Sequence, residues 1–189
     1  MRRGRRATAA CAVLAGLAIG AGLVAVPAGA AAKSPCATFD GAATFSPALP
    51  PAGSVKVVRS RISINRAKLG GCHGSVASGT ASGTFTLARS TNCTLLITNI
   101  ASNVATKAKG TLTITWNTHA TSTIALTMSF GGLRGEPSLA TMTGTVTNGL
   151  FKGHQESWTV AWAMKTTECF GGAPLSWLSF TEFAAPAAR

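Results

Sequence analysis

The chain has 189 residues, with 17 lysines and arginines against 5 acids, 3 histidines and no tyrosine. This length suits one domain of ordinary size. The few acids and histidines leave little material for acid–base catalysis, and no Cys-x-x-Cys is present to support a zinc ribbon or a thioredoxin-like motif.

Residues 1–30 have the features of a signal peptide. Four arginines precede residue 7, Ala7–Val26 is almost wholly apolar, and Ala28-Gly29-Ala30 supplies the small residues that a signal peptidase recognises. We predict cleavage near Ala30 and a single secreted domain over residues 31–189, of which 184–189 form a loose tail. The alternative is an uncleaved membrane anchor, because the apolar segment is about long enough to cross a bilayer.

Cleavage would leave a strongly basic domain. The first 30 residues contain four arginines and no acid, so 13 basic and 5 acidic residues remain, a net charge of +8. This charge favours anionic partners. Because an exported protein seldom meets nucleic acid, we expect anionic envelope polymers or lipid headgroups as partners, and no nucleic acid. The alternative is that the charge only keeps the surface soluble.

Four cysteines would remain after cleavage: Cys36, Cys72, Cys93 and Cys169. An even number of cysteines in an exported chain indicates two disulfides, for which three connectivities exist. We predict that Cys72 pairs with Cys93, which closes a local loop. The second predicted pair, Cys36 with Cys169, would tie the N-terminal segment to the region before the last strand.

Apolar residues alternate with threonine, serine and alanine along the remaining chain, as in half-buried β-strands. The clearest examples are Leu112–Trp116, Ile124–Phe130 and Trp158–Met164. Further strands are predicted over Ala42–Phe45, Val55–Ile64, Gly83–Ala88, Thr94–Thr98, Leu139–Thr147 and Ser176–Phe183. The pattern predicts an all-β fold of about eight strands, with no helix longer than about three turns.

The links between these segments are short, such as residues 118–121, and short links join antiparallel neighbours. We therefore predict a meander-like antiparallel β-barrel, with a β-sandwich as the alternative. Asn148-Gly149 predicts a two-residue hairpin turn flanked by Thr147 and Leu150. If Phe151 faces inward, Trp158 does so too only if the register shifts by one residue, for which Gly153 is the natural place.

Candidates for catalysis are few. His154 and Glu156 lie two residues apart on one predicted strand face and form the best acid–base pair. A metal site would have to use His73, His119 and His154, which lack ligand spacing. Polar neighbours of this kind are usually solvated, so we expect a non-catalytic protein with no metal and no cofactor.

The tryptophans could line a ligand cavity. The four candidates are Trp116, Trp158, Trp162 and Trp177. A barrel of eight strands is either filled by its own side chains or holds one small ligand. Large inward residues favour filling, so tryptophan as core is the preferred interpretation, and a carrier of a small apolar ligand is the alternative.

One stretch, residues 56–69, concentrates basic residues. Arg59 and Arg61 share a predicted strand face, and Arg66 and Lys68 follow at its end. These four side chains are the predicted anion-binding face. The alternative is that they protect an edge strand from pairing with other chains.

Two resemblances accompany these patterns. Cys36–Phe39 (CATF), Gly70–Cys72 (GGC), Thr113–Asn117 (TITWN) and Gly144–Gly153 (GTVTNGLFKG) resemble short exported actinobacterial β-proteins whose function is not established. This resemblance implies export and a β fold, and it implies no activity. Trp158–Trp162 (WTVAW) is similar to a strand of the streptavidin family over five residues, and no biotin-binding residue is carried over.

These observations lead to one preferred hypothesis. We expect a non-catalytic exported β domain that acts at the cell envelope as a binding or structural module. An apolar-ligand carrier is second and a hydrolytic enzyme third. The sequence leaves the oligomeric state open.

Overall fold

The computed structural model describes residues 36–101, 105–131, 139–165 and 167–182. Within these ranges each strand pairs antiparallel with the next, and the eighth pairs with the first, so that they close a barrel. The strands are β1 (Thr38–Leu49), β2 (Arg61–Gly70), β3 (Gly79–Leu87), β4 (Thr106–Trp116), β5 (Thr121–Phe130), β6 (Leu139–Gly149), β7 (Gln155–Ala163) and β8 (Leu175–Glu182). The predicted meander barrel is confirmed. The predicted signal peptide and C-terminal tail lie outside the described residues.

Successive strands run in opposite directions, so the connections alternate between two ends of the barrel. We call upper the end that carries the segments after β1, β3, β5 and β7. The lower end carries the segments after β2, β4 and β6. The upper connections include an α-helix, α1 (Cys93–Ala101), and a 3-10 helix (Cys169–Gly171), whereas the lower connections are short.

The period-two alternation of the sequence becomes the inner and outer walls of the barrel. Phe39 of β1 packs in the interior against Trp158 of β7 and Phe180 of β8, with ring centroids 5.3 and 5.2 Å apart. Glycine provides space where strands approach closely. A Cβ on Gly83 would collide with the Thr111 carbonyl oxygen, and one on Gly110 with the Thr84 carbonyl oxygen. The strands β3 and β4 therefore lie too close for side chains at these two positions.

One predicted strand is wrong. Thr94–Thr98 lies inside α1. The β-branched residues of this segment favour a strand, but Asn92 caps the start of a helix. The Leu95 N–H donates to Asn92 Oδ1 at 2.8 Å, which satisfies a backbone donor that the first helical turn leaves free. At nine residues, about two and a half turns, α1 remains within the predicted limit. None of the described helices is long and apolar enough to cross a membrane.

The second strand begins later than predicted. Residues 55–58 belong to the upper loop, β2 starts at Arg61, and only an isolated bridge joins Val58 to Thr91. Pairing with both neighbours shifts register between Ile64 and Ala67, where Arg66 has a φ of 52° and its N–H donates to Ser82 Oγ. This bulge returns Ala67 to the inner wall and leaves Lys68 outside.

The predicted two-residue hairpin turn is also wrong. Asn148 and Gly149 remain in β6, where they pair with Thr123 and Ser122 of β5. The neighbouring strand uses their backbone groups, so the chain reverses later, over residues 150–153. Gly153 lies in this turn, and the register shift falls on the β5 side, between Thr123 and Ile124. The expectation that Trp158 faces inward is confirmed, since it is buried.

Both predicted disulfides are wrong. The structure pairs Cys36 with Cys72 at the lower end and Cys93 with Cys169 at the upper end. In a meander barrel, two cysteines reach the same end only when an even number of strands separates them. Cys72 and Cys93 are separated by β3 alone, and Cys36 and Cys169 by seven strands. Each predicted pair would therefore have had to span the height of the barrel.

Candidate anion-binding site

The tryptophans do not form one group. Trp116, Trp158 and Trp162 are buried in the interior. Trp177 lies on the outside of the barrel, because it pairs with exposed Thr44 while its neighbour Leu178 is buried. The Lys165 ammonium lies 5.8 Å from the Trp177 ring centroid. The prediction that Trp177 shares a cavity lining with the other three is therefore wrong.

The interior leaves little space. The cavity between Met128, Phe130, Trp162 and Phe180 has a volume of about 10 Å³, which is at the lower limit for one water molecule. The buried indole N–H groups of Trp158 and Trp162 have no hydrogen-bond partner among the described residues. Side chains thus fill this part of the barrel, and a ligand would have to displace them.

The candidate catalytic and metal residues are not assembled into one site. His154 precedes β7 and is exposed, whereas Glu156 is buried inside the barrel opposite Gly144. His73 and His119 are exposed in two other lower connections. The described residues contain no group of three or more side chains that could hold a metal ion.

Arg61 lies at the centre of a polar row on the outer wall. Cross-strand pairing places Arg61 beside Ser46 of β1 on one side and Thr86 of β3 on the other. Thr86 pairs in turn with Lys109 of β4. Neighbouring strands lie about 4.8 Å apart, so Arg61 and Lys109 are separated by roughly 10 Å across the sheet.

An open depression of about 370 Å³ surrounds Arg61 and is lined by Ser46, Arg59, Arg61 and Thr86. The Arg59 Nε donates to the Leu87 carbonyl oxygen at 2.8 Å, which holds the guanidinium at the rim and leaves its terminal N–H groups for other acceptors. Arg61 makes no side-chain hydrogen bond or ion pair with any other described residue.

The structure divides the basic cluster that the sequence predicts. Arg59 and Arg61 lie at the upper end, whereas Arg66 and Lys68 lie five and seven residues further along β2, toward the lower end. Seven residues of strand span roughly 23 Å, so one small anion does not reach both pairs. The four predicted residues therefore do not form one face.

The basic residues that lie at the upper end with Arg59 and Arg61 come from other parts of the sequence. Lys107 and Lys109 project from the outer wall of β4, and Arg89 follows β3. Lys107 and Arg89 line a second depression, of about 550 Å³, that also includes exposed Leu95 of α1. We define the basic face by its five exposed residues: Arg59, Arg61, Arg89, Lys107 and Lys109. Alternating Lys107-Ala108-Lys109 indicates one exposed strand face, but only the register reveals that it adjoins Arg61.

The described acids lie elsewhere. Asp40 belongs to β1 and Glu182 to β8, while Glu156 is buried in β7. Glu168 is buried in the connection before β8, where its Oε1 accepts a hydrogen bond from Ser176 Oγ at 3.1 Å. Burial raises the pKa of Glu182 above its ordinary 4.5, and the nearby Asp40 charge raises it further. No described acid therefore lies on β2, β3 or β4 to neutralise the basic face.

Comparison with protein-family models, with curated proteins and with solved structures finds no significant match. The function must therefore be argued from the site itself.

Proposed function

We propose that this chain is a non-catalytic β-barrel module that is exported and binds anionic polymers of the cell envelope through its basic face. The single observation that carries this proposal is the open depression around Arg61, where two arginines and two hydroxyl-bearing residues converge. The two disulfides are consistent with an extracellular protein.

The arginines are suited to bind phosphate or carboxylate groups. The backbone contact of Arg59 limits the freedom of its side chain before a ligand arrives, which lowers the entropy cost of binding. A guanidinium presents two parallel N–H donors to such anions. Ser46 and Thr86 add hydroxyl groups at the same depression, as contacts for sugar or glycerol units between the charges.

The arrangement of charges favours a polymer over a single small anion. Lys107 and Lys109 lie roughly 7 Å apart along one strand, and Arg61 lies across the sheet from Lys109. A single anion contacts one or two of these cations, whereas a chain of repeated negative charges contacts several. Contacts to successive charges also add up, because the second contact is intramolecular.

The test compares two double variants that remove the same charge. Arg59→Ser with Arg61→Ser removes two positive charges from the basic face. Arg66→Ser with Lys68→Ser removes two positive charges from the lower part of β2, outside the basic face. Both should fold, since exposed charges contribute little to stability. On a teichoic-acid matrix with a salt gradient, we expect the first variant to elute at clearly lower salt and the second close to the wild type.

The matched pair separates a site from a general charge effect. Equal shifts in both variants would show that net charge alone determines retention, which contradicts the proposal. Elution of all three proteins at the same salt concentration would contradict it as well. Circular dichroism of each variant provides the control for folding.

The apolar-ligand carrier remains the second candidate because of one observation. The indole N–H groups of Trp158 and Trp162 are buried with no described partner, and a polar ligand atom would satisfy them. The cavity beside Trp162 is nevertheless too small for a ligand unless side chains move. Native mass spectrometry of the purified domain tests this candidate directly, since a carrier would retain a co-purifying small molecule.

A further inference from the structure

The upper end of the barrel exposes apolar side chains. Among the described residues, four large hydrophobic side chains are exposed: Val55 (100 %), Val57 (44 %), Leu95 (39 %) and Phe170 (69 %). All four belong to upper connections, although they come from three distant parts of the sequence. We call these four residues the apolar tip. Exposed apolar side chains gathered at one place indicate an interaction surface.

The segments that carry the apolar tip are fastened to each other. Cys93 at the start of α1 is bonded to Cys169 in the 3-10 helix. The Ala52 N–H donates to the Cys169 carbonyl oxygen at 3.0 Å, and the Gly53 N–H donates to Thr94 Oγ1 at 3.0 Å. The tip is therefore held in place before any partner arrives, which reduces the entropy cost of docking.

A second set of hydrogen bonds holds the loop that carries the two valines. The Asn92 side-chain amide donates to the Ser54 carbonyl oxygen at 2.7 Å and to the Lys56 carbonyl oxygen at 3.3 Å. These contacts lie on either side of Val55, whose side chain nevertheless remains fully exposed. The loop thus presents Val55 outward on a fixed backbone.

Basic residues lie in the same upper connections as the apolar tip. Lys56 lies between the two valines in sequence, Arg59 follows them, and Arg89 and Lys165 lie in the other upper connections. Glu168 is the one described acid at this end, and it is buried. Apolar side chains that share one end of the barrel with cations match the boundary between acyl chains and anionic headgroups in a bilayer.

We propose that the upper end docks on an anionic lipid bilayer, with the apolar tip entering the boundary between headgroups and acyl chains. Lys56, Arg59 and Arg89 contact the lipid phosphates. Val55 and Phe170 are the most exposed of the four side chains, and apolar side chains that stand clear of the surface suit a deformable lipid surface better than a rigid protein partner. The inference rests on the proposed function in one respect, because Arg59 binds anions in both. The contact of the apolar tip with the bilayer is independent of the proposed function.

Sedimentation with lipid vesicles tests the docking. The vesicles are phosphatidylcholine alone, or phosphatidylcholine with 30 % phosphatidylglycerol, each at low and high salt. The tip variant carries Val55→Ser, Val57→Ser and Phe170→Ser, and a control carries Val55→Leu and Val57→Leu. We expect the wild type and the leucine control to bind anionic vesicles. The partition coefficient of the serine variant should be lower by a factor of about ten or more.

A soluble polyanion separates this inference from the proposed function. On a teichoic-acid matrix the serine variant should elute like the wild type, because its charges are intact. The variant with Arg59→Ser and Arg61→Ser should be weakened on both the matrix and the vesicles. One combination of results separates the two proposals: the serine variant loses vesicle binding, and the arginine variant elutes from the matrix like the wild type. In that case the inference stands and the proposed function fails.

Two results would overturn the inference. If the serine variant binds anionic vesicles as tightly as the wild type, then charge alone drives binding and the tip does not enter the bilayer. If light scattering shows that the wild type is a dimer and the serine variant a monomer, and neither binds vesicles, then the tip is an interface between two copies. Circular dichroism confirms in each case that the serine variant is folded.

Discussion

At the upper end of the barrel, a long loop, α1 and the 3-10 helix are joined through Cys93–Cys169, whereas the lower end has short turns and Cys36–Cys72. Each end thus contains one disulfide. Their surfaces differ, because the apolar tip lies at the upper end and the described residues expose no other large hydrophobic side chain. Closure of the barrel therefore does not require the exposed tip, which points to a role outside the fold.

The described residues also make the upper half more positively charged than the lower half. Seven of the ten described basic residues lie in the upper half with one acid, and three lie in the lower half with three acids. Counted over the described residues, the upper half thus carries a net charge of +6 and the lower half is neutral. A charge spread evenly for solubility would not have this distribution, so the difference supports a binding role for the upper half.

Removing each disulfide should have the largest effect on stability. Cys93→Ala with Cys169→Ala opens a loop with a sequence separation of 76, and Cys36→Ala with Cys72→Ala one of 36. The chain-entropy model gives losses of about 4.5 and 3.8 kcal/mol. Urea denaturation of both variants measures them. A larger loss at the lower end would contradict this order and would show that the tip segments gain freedom in the folded state when their disulfide is removed.

The interior that both ends share should be nearly as sensitive. Trp158→Ala removes a fully buried side chain that packs on Phe39, and we expect a loss of about 3–5 kcal/mol. Trp177→Ala is the matched control, since Trp177 lies on the outer wall and should lose much less. Thermal denaturation of the two variants compares them. Similar losses would contradict the assignment of inner and outer walls.

A pH dependence should arise at the lower end. The pKa of Glu182 is raised in the folded chain, first by burial and then by Asp40. The folded state therefore holds this proton at a pH where the unfolded state has released it, so stability falls as the pH rises above about 4.5. Glu182→Gln should flatten this fall, and Asp40→Asn should flatten it partly. Denaturant midpoints between pH 4 and 7 measure the slope, and an unchanged slope in Glu182→Gln would refute the assignment.

The smallest expected effect concerns the bulge in β2. Arg66 has a φ of 52°, a backbone conformation that glycine adopts without strain. We expect Arg66→Gly to stabilise the folded state by about 0.5–1 kcal/mol, since its relief of strain exceeds the entropy cost of glycine. Denaturant titration measures this gain. A clear loss would show that the Arg66 side chain itself supports the barrel.

The even-number rule excludes the predicted pair Cys72 with Cys93 even on the predicted strands, since only Gly83–Ala88 separates them, whereas the pair Cys36 with Cys169 depends on one local error. The predicted strand at Thr94–Thr98 raised the number of strands between Cys36 and Cys169 from seven to eight, an even number that a meander barrel allows. It also made the true pair, Cys93 with Cys169, appear to lie at opposite ends. The Asn92 cap distinguishes helix from strand here, and it was the available signal in the sequence.

The sequence by itself determined the class of fold and most of the inner wall. Alternation with a period of two is a local property, so Trp158 and Trp162 could be assigned to one strand face before any pairing was known, and both are buried. Only the tertiary structure decided which cations form a site. Arg61 and Lys109 are 48 positions apart in the sequence and two strands apart in the barrel, whereas Arg61 and Lys68 are close in sequence and far apart in space. The physical reason is that one strand carries the chain about 3.3 Å per residue away from itself, while pairing brings distant segments to within about 5 Å.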